Sequence, residues 1–483
     1  MKQDIKFGTD GWRAIIAKDY TVENVARVAE ATAVWLIASE NYSSVVIGFD
    51  PRFGGKLFAE TSCKVFLHYG IKVWLCPDIA STPMISLGTL KKAASLGIVI
   101  TASHNPPAYN GFKLKGAYGG PLLPEKIDEI EKLIQDQCSV NLDTINLNEE
   151  KDKGTLEHID LEALYLNQVE THFDLELIRS SGLKVAYDAM FGAGQQIMKR
   201  ILPDAEFLHC ENNPSFEGQA PEPIHKNLKA LSSLLLKGGF DCGIATDGDA
   251  DRIGLYDSQG NFIDSHHLIL LLINYLSQVK GLSGKVVTAF SVSPKIGKLC
   301  SHFGIQHEIT RIGFKYIAGR MIKEDVLLGG EESGGIAIKG HIPERDGIWI
   351  GLTILEYMAK TGKSLQVLID EVYSIVGSFA FERSDLHLQE EVKNQIVRKC
   401  EVLAYTQFGN FKVQRTETVD GYKYFFNDDD WFMIRASGTE AVLRNYAQSD
   451  TQENAFAILR AAEETLLNPE EAKQNSYSLK STS

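Results

Sequence analysis

The chain has no Cys-x-x-Cys pair, no nucleotide-binding glycine loop, no basic tract and no apolar run of membrane length. Each absence removes a class of function. The seven cysteines (Cys63, Cys76, Cys138, Cys210, Cys242, Cys300, Cys400) are scattered and odd in number. They read as buried thiols in a reducing compartment, not as a disulfide framework or a zinc site. The longest apolar run, "LILLLI" from Leu268, stops at Asn274, far short of the ~20 residues a membrane span needs. The amino-terminal "MKQDIKFGTDGWR" lacks the apolar core of a signal peptide, so the cytoplasm is the expected location. A net charge of −14 without clustered Lys or Arg argues against nucleic acid as a partner. It leaves room for a small phosphorylated ligand, which needs only a few converging cations and backbone amides. Without Gly-x-Ser-x-Gly there is no support for an α/β-hydrolase triad. Without Gly-x-x-x-x-Gly-Lys-Ser/Thr or Gly-x-Gly-x-x-Gly, a nucleotide site is disfavoured.

What is present is a repeated pattern. At 483 residues the chain is too long for one core, and 44% hydrophobic with 23% charged residues is ordinary for a soluble globular protein. Six apolar strands stop in polar loops marked by Gly or Pro. "SVVIGF" runs into Asp50-Pro51-Arg52, "LGIVI" into Thr101-Ala102-Ser103-His104-Asn105-Pro106, and "LKVAY" into Asp188-Ala189-Met190. "CGIA" runs into Thr246-Asp247-Gly248-Asp249-Ala250-Asp251-Arg252, "KVVTAF" into Ser291-Val292-Ser293-Pro294, and "DVLLGG" into Glu331-Glu332-Ser333. Helical periodicity fills the intervals, as from Val22 and from Leu161. Alternating strands and helices predict layered α/β domains with ligands at the strands' carboxyl ends. Breaks are expected in the charged stretch 146–154, near 257–260 and near 377–383. After the last, two strands around Asn427-Asp428-Asp429-Asp430 and a helix from Glu453 predict an α+β unit. The polar end from Gln474 to Ser483 is expected to fray.

Three carboxylates in five residues, Asp247, Asp249 and Asp251, repel one another unless a cation neutralises them. An EF-hand is excluded because its glycine position is Arg252 and its twelfth position is Ser258. Hard oxygen ligands of this kind suit magnesium, and a solvated acidic turn is the alternative. Asp428 to Asp430, between aromatic-rich strands, reads instead as a hairpin turn. Ser103 at a strand end is a candidate nucleophile, although loop serines more often only cap or hydrogen-bond. The Arg435-Ala436-Ser437-Gly438-Thr439 loop offers a guanidinium fork, two hydroxyls and free amides for a phosphate. The Glu331-Glu332-Ser333 loop offers acceptors and a hydroxyl that suit a polyol, and a plain glycine-rich turn would look much the same.

Taken together, "TASHNP", "DGDADR", "GEESGG" and "RASGTE" resemble the phosphoserine, magnesium, sugar and phosphate loops of the α-D-phosphohexomutase superfamily. The likeness covers nearly the whole chain from Phe7 and is nearest to the phosphoglucomutase family within it. It implies an α/β protein of four domains around a central cleft. Three would be layered α/β domains with mixed sheets (1–150, 155–257 and 258–376), and the fourth (377–483) α+β and TATA-binding-protein-like. The implied reaction interconverts glucose 1-phosphate and glucose 6-phosphate through phosphorylated Ser103 and a glucose 1,6-bisphosphate intermediate. Mg²⁺ would be held by Asp247, Asp249, Asp251 and an oxygen on Ser103. Arg13 and Arg252 would neutralise the transferring group. Lys113 and His104 are the implied proton-transfer candidates, the lysine only if its pKa is lowered. Gly313, Lys315, Glu331 and Ser333 would bind sugar and phosphate, and Arg435, Ser437, Gly438 and Thr439 the non-reacting phosphate. A monomer or weak dimer without nucleic-acid or membrane partners is expected. One departure stands out: Gly335 occupies the place of a histidine in the bacterial phosphomannomutase/phosphoglucomutase branch. Phosphomannomutase and phosphoglucosamine mutase remain alternatives, with an aspartyl-phosphate phosphatase using Asp247, or a silent sugar-phosphate-binding protein, as more distant ones.

Overall fold

β-Branched runs with no polar alternation demand burial on both faces, and the strands Ser44–Phe49 and Leu96–Ile100 meet that demand: Val45, Val46, Ile47, Ile98, Val99 and Ile100 are all fully buried. They lie side by side and parallel in a sheet ordered Trp12–Ile15, Tyr109–Gly116, Leu96–Ile100, Ser44–Phe49, Lys72–Ile79 and Leu156–His158. Helices Val22–Ser39 and Gly55–His68 cover one face. Helix Thr82–Lys91 lies so close to the other that a methyl group at Gly48 would fall 2.7 Å from Ile85 Cδ1. The computed structural model describes residues 5–39, 44–436 and 442–467, so Ser437, Gly438, Thr439 and the tail from Gln474 lie outside the described residues.

The chain forms two compact units, 1–288 with 313–369 and 289–312 with 370–483. The first unit contains the sheet above and a second one ordered Phe262–Ile263, Ile253–Asp257, Cys242–Thr246, Val185–Asp188 and Glu206–Leu208. Cys242–Thr246 runs parallel to Val185–Asp188 and antiparallel to Ile253–Asp257, so the turn 247–252 sits at the carboxyl end of a central strand. In a third sheet Val326–Gly330 is parallel to Lys285–Ala289 and antiparallel to Ile336–Ile338. The second unit holds an antiparallel sheet ordered Ala380–His387, Val442–Ser449, Trp431–Ala436, Tyr422–Phe425 and Arg415–Glu417. Helices Glu390–Glu401 and Gln452–Leu467 bury Ile396, Cys400, Ile458 and Ala462 against its Tyr424, Phe432 and Ile434. That unit is α+β, as its patterning predicts. Asn427 Oδ1 accepts the amides of Asp429 (2.8 Å) and Asp430 (2.7 Å), so the acidic triplet there is a hairpin turn.

Two of the expected breaks carry secondary structure of their own. The stretch 146–154 is not a free linker: it forms helix Leu147–Asp152, and Leu156–His158 then adds a parallel strand to the first sheet. The break at 257–258 falls inside a hairpin, because Ile253–Asp257 pairs with Phe262–Ile263. Polar and glycine signals mark tight turns as readily as linkers. All seven cysteines are free thiols, six of them buried. Burial pushes Cys138 up to about 11 and Cys210, Cys242, Cys300 and Cys400 up to about 12. Among the described residues no helix is long and apolar enough to cross a membrane.

Ile98→Ala opens a void in a strand covered on both faces and should cost about 2–5 kcal/mol. The expected result is a clear fall in the urea midpoint of unfolding, and an unchanged midpoint would contradict the two-sided packing.

Candidate active site

Where the strand Leu96–Ile100 ends, the chain turns sharply and places Ser103 at φ 51°, a left-handed conformation uncommon for a residue with a side chain. The Ser103 amide donates to Thr101 Oγ1 (2.8 Å), and its carbonyl accepts from Arg52 Nη2 (2.6 Å). The fully buried hydroxyl donates to Asp247 Oδ2 at 2.7 Å, and His104 Nδ1 lies 3.3 Å from the same oxygen.

The aspartate loop arrives from the second sheet. Asp247 Oδ1 accepts the amides of Asp251 (2.9 Å) and Arg252 (3.0 Å), with Ala250 at φ 56°, and this curl brings the three carboxylates together. Gly248 lets the two loops touch, since a methyl there would fall 2.5 Å from the Ser103 carbonyl oxygen. One oxygen from each of Asp247, Asp249 and Asp251 lies within 4.8 Å of the others, and all three residues are buried. Asp249 Oδ2 accepts from Thr82 Oγ1 (2.5 Å) and Lys113 Nζ (2.7 Å). Asp251 Oδ2 accepts from Lys113 Nζ (3.1 Å) and Arg345 Nη2 (2.6 Å). Asp249 Oδ1 and Asp251 Oδ1 are buried with no hydrogen-bond partner. A buried carboxylate oxygen left unpaired is costly, so these hard acceptors beside Asp247 fit a small divalent cation such as Mg²⁺. Burial, with Asp249 and Asp251 alongside, pushes the Asp247 carboxyl well above the usual range. Burial acts the same way on Asp249, but the Lys113 ammonium and the Thr82 hydroxyl outweigh it and hold that carboxyl below the range.

Lys113 does not meet the condition set for proton transfer. Burial alone would lower its pKa, yet Asp10 (2.6 Å), Asp249 and Asp251 hold it above its ordinary value. In this arrangement Lys113 is a fixed positive charge that ties the carboxylates together. Arg13 donates to Asn105 Oδ1 (2.6 Å) and lies 3.8 Å from Asp10. Arg252 places Nη1 3.9 Å from Glu222. Glu331 Oε1 accepts the Gly313 amide at 3.0 Å, and burial pushes the Glu331 carboxyl up to about 7 despite Arg345 Nη1 at 3.8 Å. Ser333 lies half-buried in the same loop, and Lys315 follows Gly313 in the helix Phe314–Lys323. Arg435 belongs to the second unit, where its Nη2 is 3.6 Å from Asp420.

Sequence reasoning missed the hub of the cluster. Arg345 contacts Asp10, Asp251, Glu331 and Glu344, and no local motif marks it. Asp10, inside "FGTDGWR", carried a signal only as part of that quoted stretch. The structure also accounts for Gly335. A methyl there would fall 2.4 Å from Arg345 Cδ, so the arginine stem fills the space that a side chain would need.

Four family models match the chain in order. They describe phosphoglucomutase/phosphomannomutase α/β/α domain I over 4–140, domain II over 163–260, domain III over 264–376 and the C-terminal domain over 390–464. Fold and site define a phosphohexomutase, an isomerase of the α-D-phosphohexomutase superfamily. A phosphoglucomutase/phosphomannomutase of Thermococcus kodakarensis is 30% identical over 94% of this chain and 96% of its own. A phosphoglucosamine/phosphogalactosamine mutase of Sulfurisphaera tokodaii is 30% identical over 92% of this chain and 95% of its own. A solved structure from Thermus thermophilus, assigned as a phosphomannomutase, superposes with a TM-score of 0.85 at 31% identity, over 97% of this chain and all of that one. The chain belongs to the phosphoglucomutase/phosphomannomutase family.

Mg²⁺ at one hundred times its dissociation constant should stabilise the protein by about 2.7 kcal/mol, read as a rise in melting temperature. Asp249→Asn with Asp251→Asn, which removes the charge behind the two unpartnered oxygens, should abolish that rise. A rise surviving in the double variant would move the cation elsewhere.

Proposed function

We propose that the protein interconverts glucose 1-phosphate and glucose 6-phosphate through phosphorylated Ser103, with glucose 1,6-bisphosphate as intermediate and activator. The observation that carries this reading is the buried Ser103 hydroxyl, 2.7 Å from Asp247, beside two carboxylate oxygens that lack partners. In the first half of the cycle the bond from phosphorus to Ser103 Oγ breaks as one forms to a sugar hydroxyl oxygen, whose proton leaves to a nearby base, and the released Ser103 Oγ takes up a proton to become a hydroxyl again. The second half is the reverse transfer, from the other end of the turned bisphosphate. His104, 3.3 Å from the serine oxygen, is the proton carrier in this reading, because Lys113 is held charged by three carboxylates. Mg²⁺ held by Asp247, Asp249, Asp251 and Ser103 would supply charge neutralisation for the phosphoryl oxygens. Arg13 and Arg252 add positive charge, and positioning does the rest. Glu331 and Ser333 would grip ring hydroxyls, with the Gly313 amide fixing the carboxylate. Gly313 and Lys315 would contact sugar and phosphate, and the Arg435, Ser437, Gly438 and Thr439 loop would hold the non-reacting phosphate. A cytoplasmic monomer or weak dimer, its domains near the expected spans, completes the reading.

Glucosamine phosphate is the second reading. Relatives at 29–30% identity carry that assignment, among them one in Pyrococcus furiosus over 94% of this chain. Glucose, mannose and glucosamine 1-phosphates compared by kcat/KM separate the substrates, with glucose expected highest. Intact mass should show one phosphate on the peptide containing Ser103, stable to hydroxylamine, which cleaves the acyl phosphate of an aspartyl enzyme. Ser103→Ala should lose mutase activity by at least about a thousandfold, on the scale seen when a catalytic nucleophile is removed. Near-normal turnover in that variant would sink the assignment.

A further inference from the structure

The Ser103 loop poses a physical problem that its own residues do not solve. Position 103 must carry a hydroxyl, so it cannot be glycine, yet its backbone sits at φ 51°, a left-handed conformation unfavourable for an L-residue. The chain then turns through residues 103–109 with carbonyl oxygens directed inward, where they need donors.

Arg52 supplies them. Its side chain is fully buried and every guanidinium N–H is used. Nη2 donates to the carbonyls of Ser103 (2.6 Å) and Asn105 (2.6 Å). Nη1 donates to those of Pro106 (2.9 Å) and Tyr109 (3.1 Å), and Nε donates to Asp50 Oδ2 at 3.2 Å. The Phe216 ring lies 5.0 Å from the guanidinium carbon and is itself buried, which shields the charge from water. Asp50 completes the brace, because its Oδ2 accepts from Thr101 Oγ1 (2.5 Å), and that hydroxyl accepts the Ser103 amide (2.8 Å). Both the amide and the carbonyl of Ser103 are thereby fixed from one point at the end of the neighbouring strand. The clamp reaches further through Asn105, whose side chain takes Arg13 Nη1 at 2.6 Å.

We propose that Arg52 is a positioning residue for phosphoryl transfer: its five-donor fork holds the 103–109 loop so that Ser103 Oγ faces Asp247. The proposal rests on the reading of Ser103 as phosphoryl carrier. Lysine cannot replace the fork. An ammonium has three donors on a flexible stem, against five in a rigid plane.

The decisive variant is Arg52→Lys, with Thr101→Val as a milder one that removes the acceptor of the Ser103 amide. Three quantities are compared with wild type: steady-state kinetics, the rate at which glucose 1,6-bisphosphate phosphorylates Ser103, and the melting-temperature rise produced by Mg²⁺. A displacement of about 1 Å at a reacting atom can cost roughly a hundredfold in rate. Arg52→Lys should therefore lower kcat about a hundredfold with KM changed by less than about threefold, and should slow Ser103 phosphorylation in parallel. Thr101→Val should lower both rates about tenfold. The Mg²⁺ effect should persist in both, because the aspartates are untouched. A role in stability alone predicts a lower melting temperature with kcat of the folded protein within about threefold of wild type, and that result overturns the proposal. So does a fall in kcat with no change in the rate of Ser103 phosphorylation. Should Arg52→Lys not fold, the outcome rests on the Thr101→Val rates. Failure of wild type to accept phosphate at Ser103 would instead refute the carrier reading, and is distinguishable because it appears before any variant is made.

Discussion

Buried like charge is the constraint around which the first unit is organised. Asp247, Asp249, Asp251, Glu331 and Glu344 are all buried, with Asp10 at their edge. Removing carboxylates from water costs several kcal/mol each unless cations replace the solvent. The chain answers with Lys113 between Asp10, Asp249 and Asp251, Arg345 between Asp10 and Asp251, and Lys115 on Glu344 at 2.7 Å. Lys113 and Lys115 come from the first sheet and Arg345 from the loop after Ile336–Ile338, whereas the aspartate loop comes from the second sheet. The same pairs that make the acids tolerable therefore also fix three domains to one another. Buried ion pairs add little to stability compared with an apolar core, so their value here lies in geometry. Two carboxylate oxygens, Asp249 Oδ1 and Asp251 Oδ1, are still left without partners, a remainder that a dication would suit.

Much of this is legible without coordinates, and the reason is local. Ile98 to Ile100 and Val45 to Ile47 announce doubly covered strands, and the density of Asp247 to Asp251 has no comfortable structural explanation. Ser103 is readable as a strand-end hydroxyl. The unreadable part is long-range. Asp10 and Arg345 pair across 335 positions, and nothing near either residue encodes the other. Lys113 enters as a proton-transfer candidate only through the family resemblance, on the condition of a lowered pKa. The carboxylates that hold its charge come from distant loops. Residues 146–154 and 257–260 are ambiguous for a different reason, since they carry turn chemistry that serves a hairpin and a linker equally well.

Gly335 shows how an apparent loss can be an exchange. In sequence the position lacks a side chain. In space it is occupied by the stem of Arg345, which runs past it to Asp10 and Asp251. A glycine in a functional loop is therefore understood only with the neighbour that fills its volume. The same holds at Gly248, where the absent side chain is what allows the serine and aspartate loops to meet.

The buried thiols have an experimental use of their own. Cys63, Cys76, Cys210 and Cys242 fall in the first unit, and Cys300 and Cys400 in the second. With their pKa values raised and their sulfurs out of solvent, these six contribute almost no thiolate at neutral pH. An alkylating reagent can then react only when the surrounding structure opens. The chain thus carries its own set of clocks, distributed over both units, and labelling rates resolved peptide by peptide would time the opening of each.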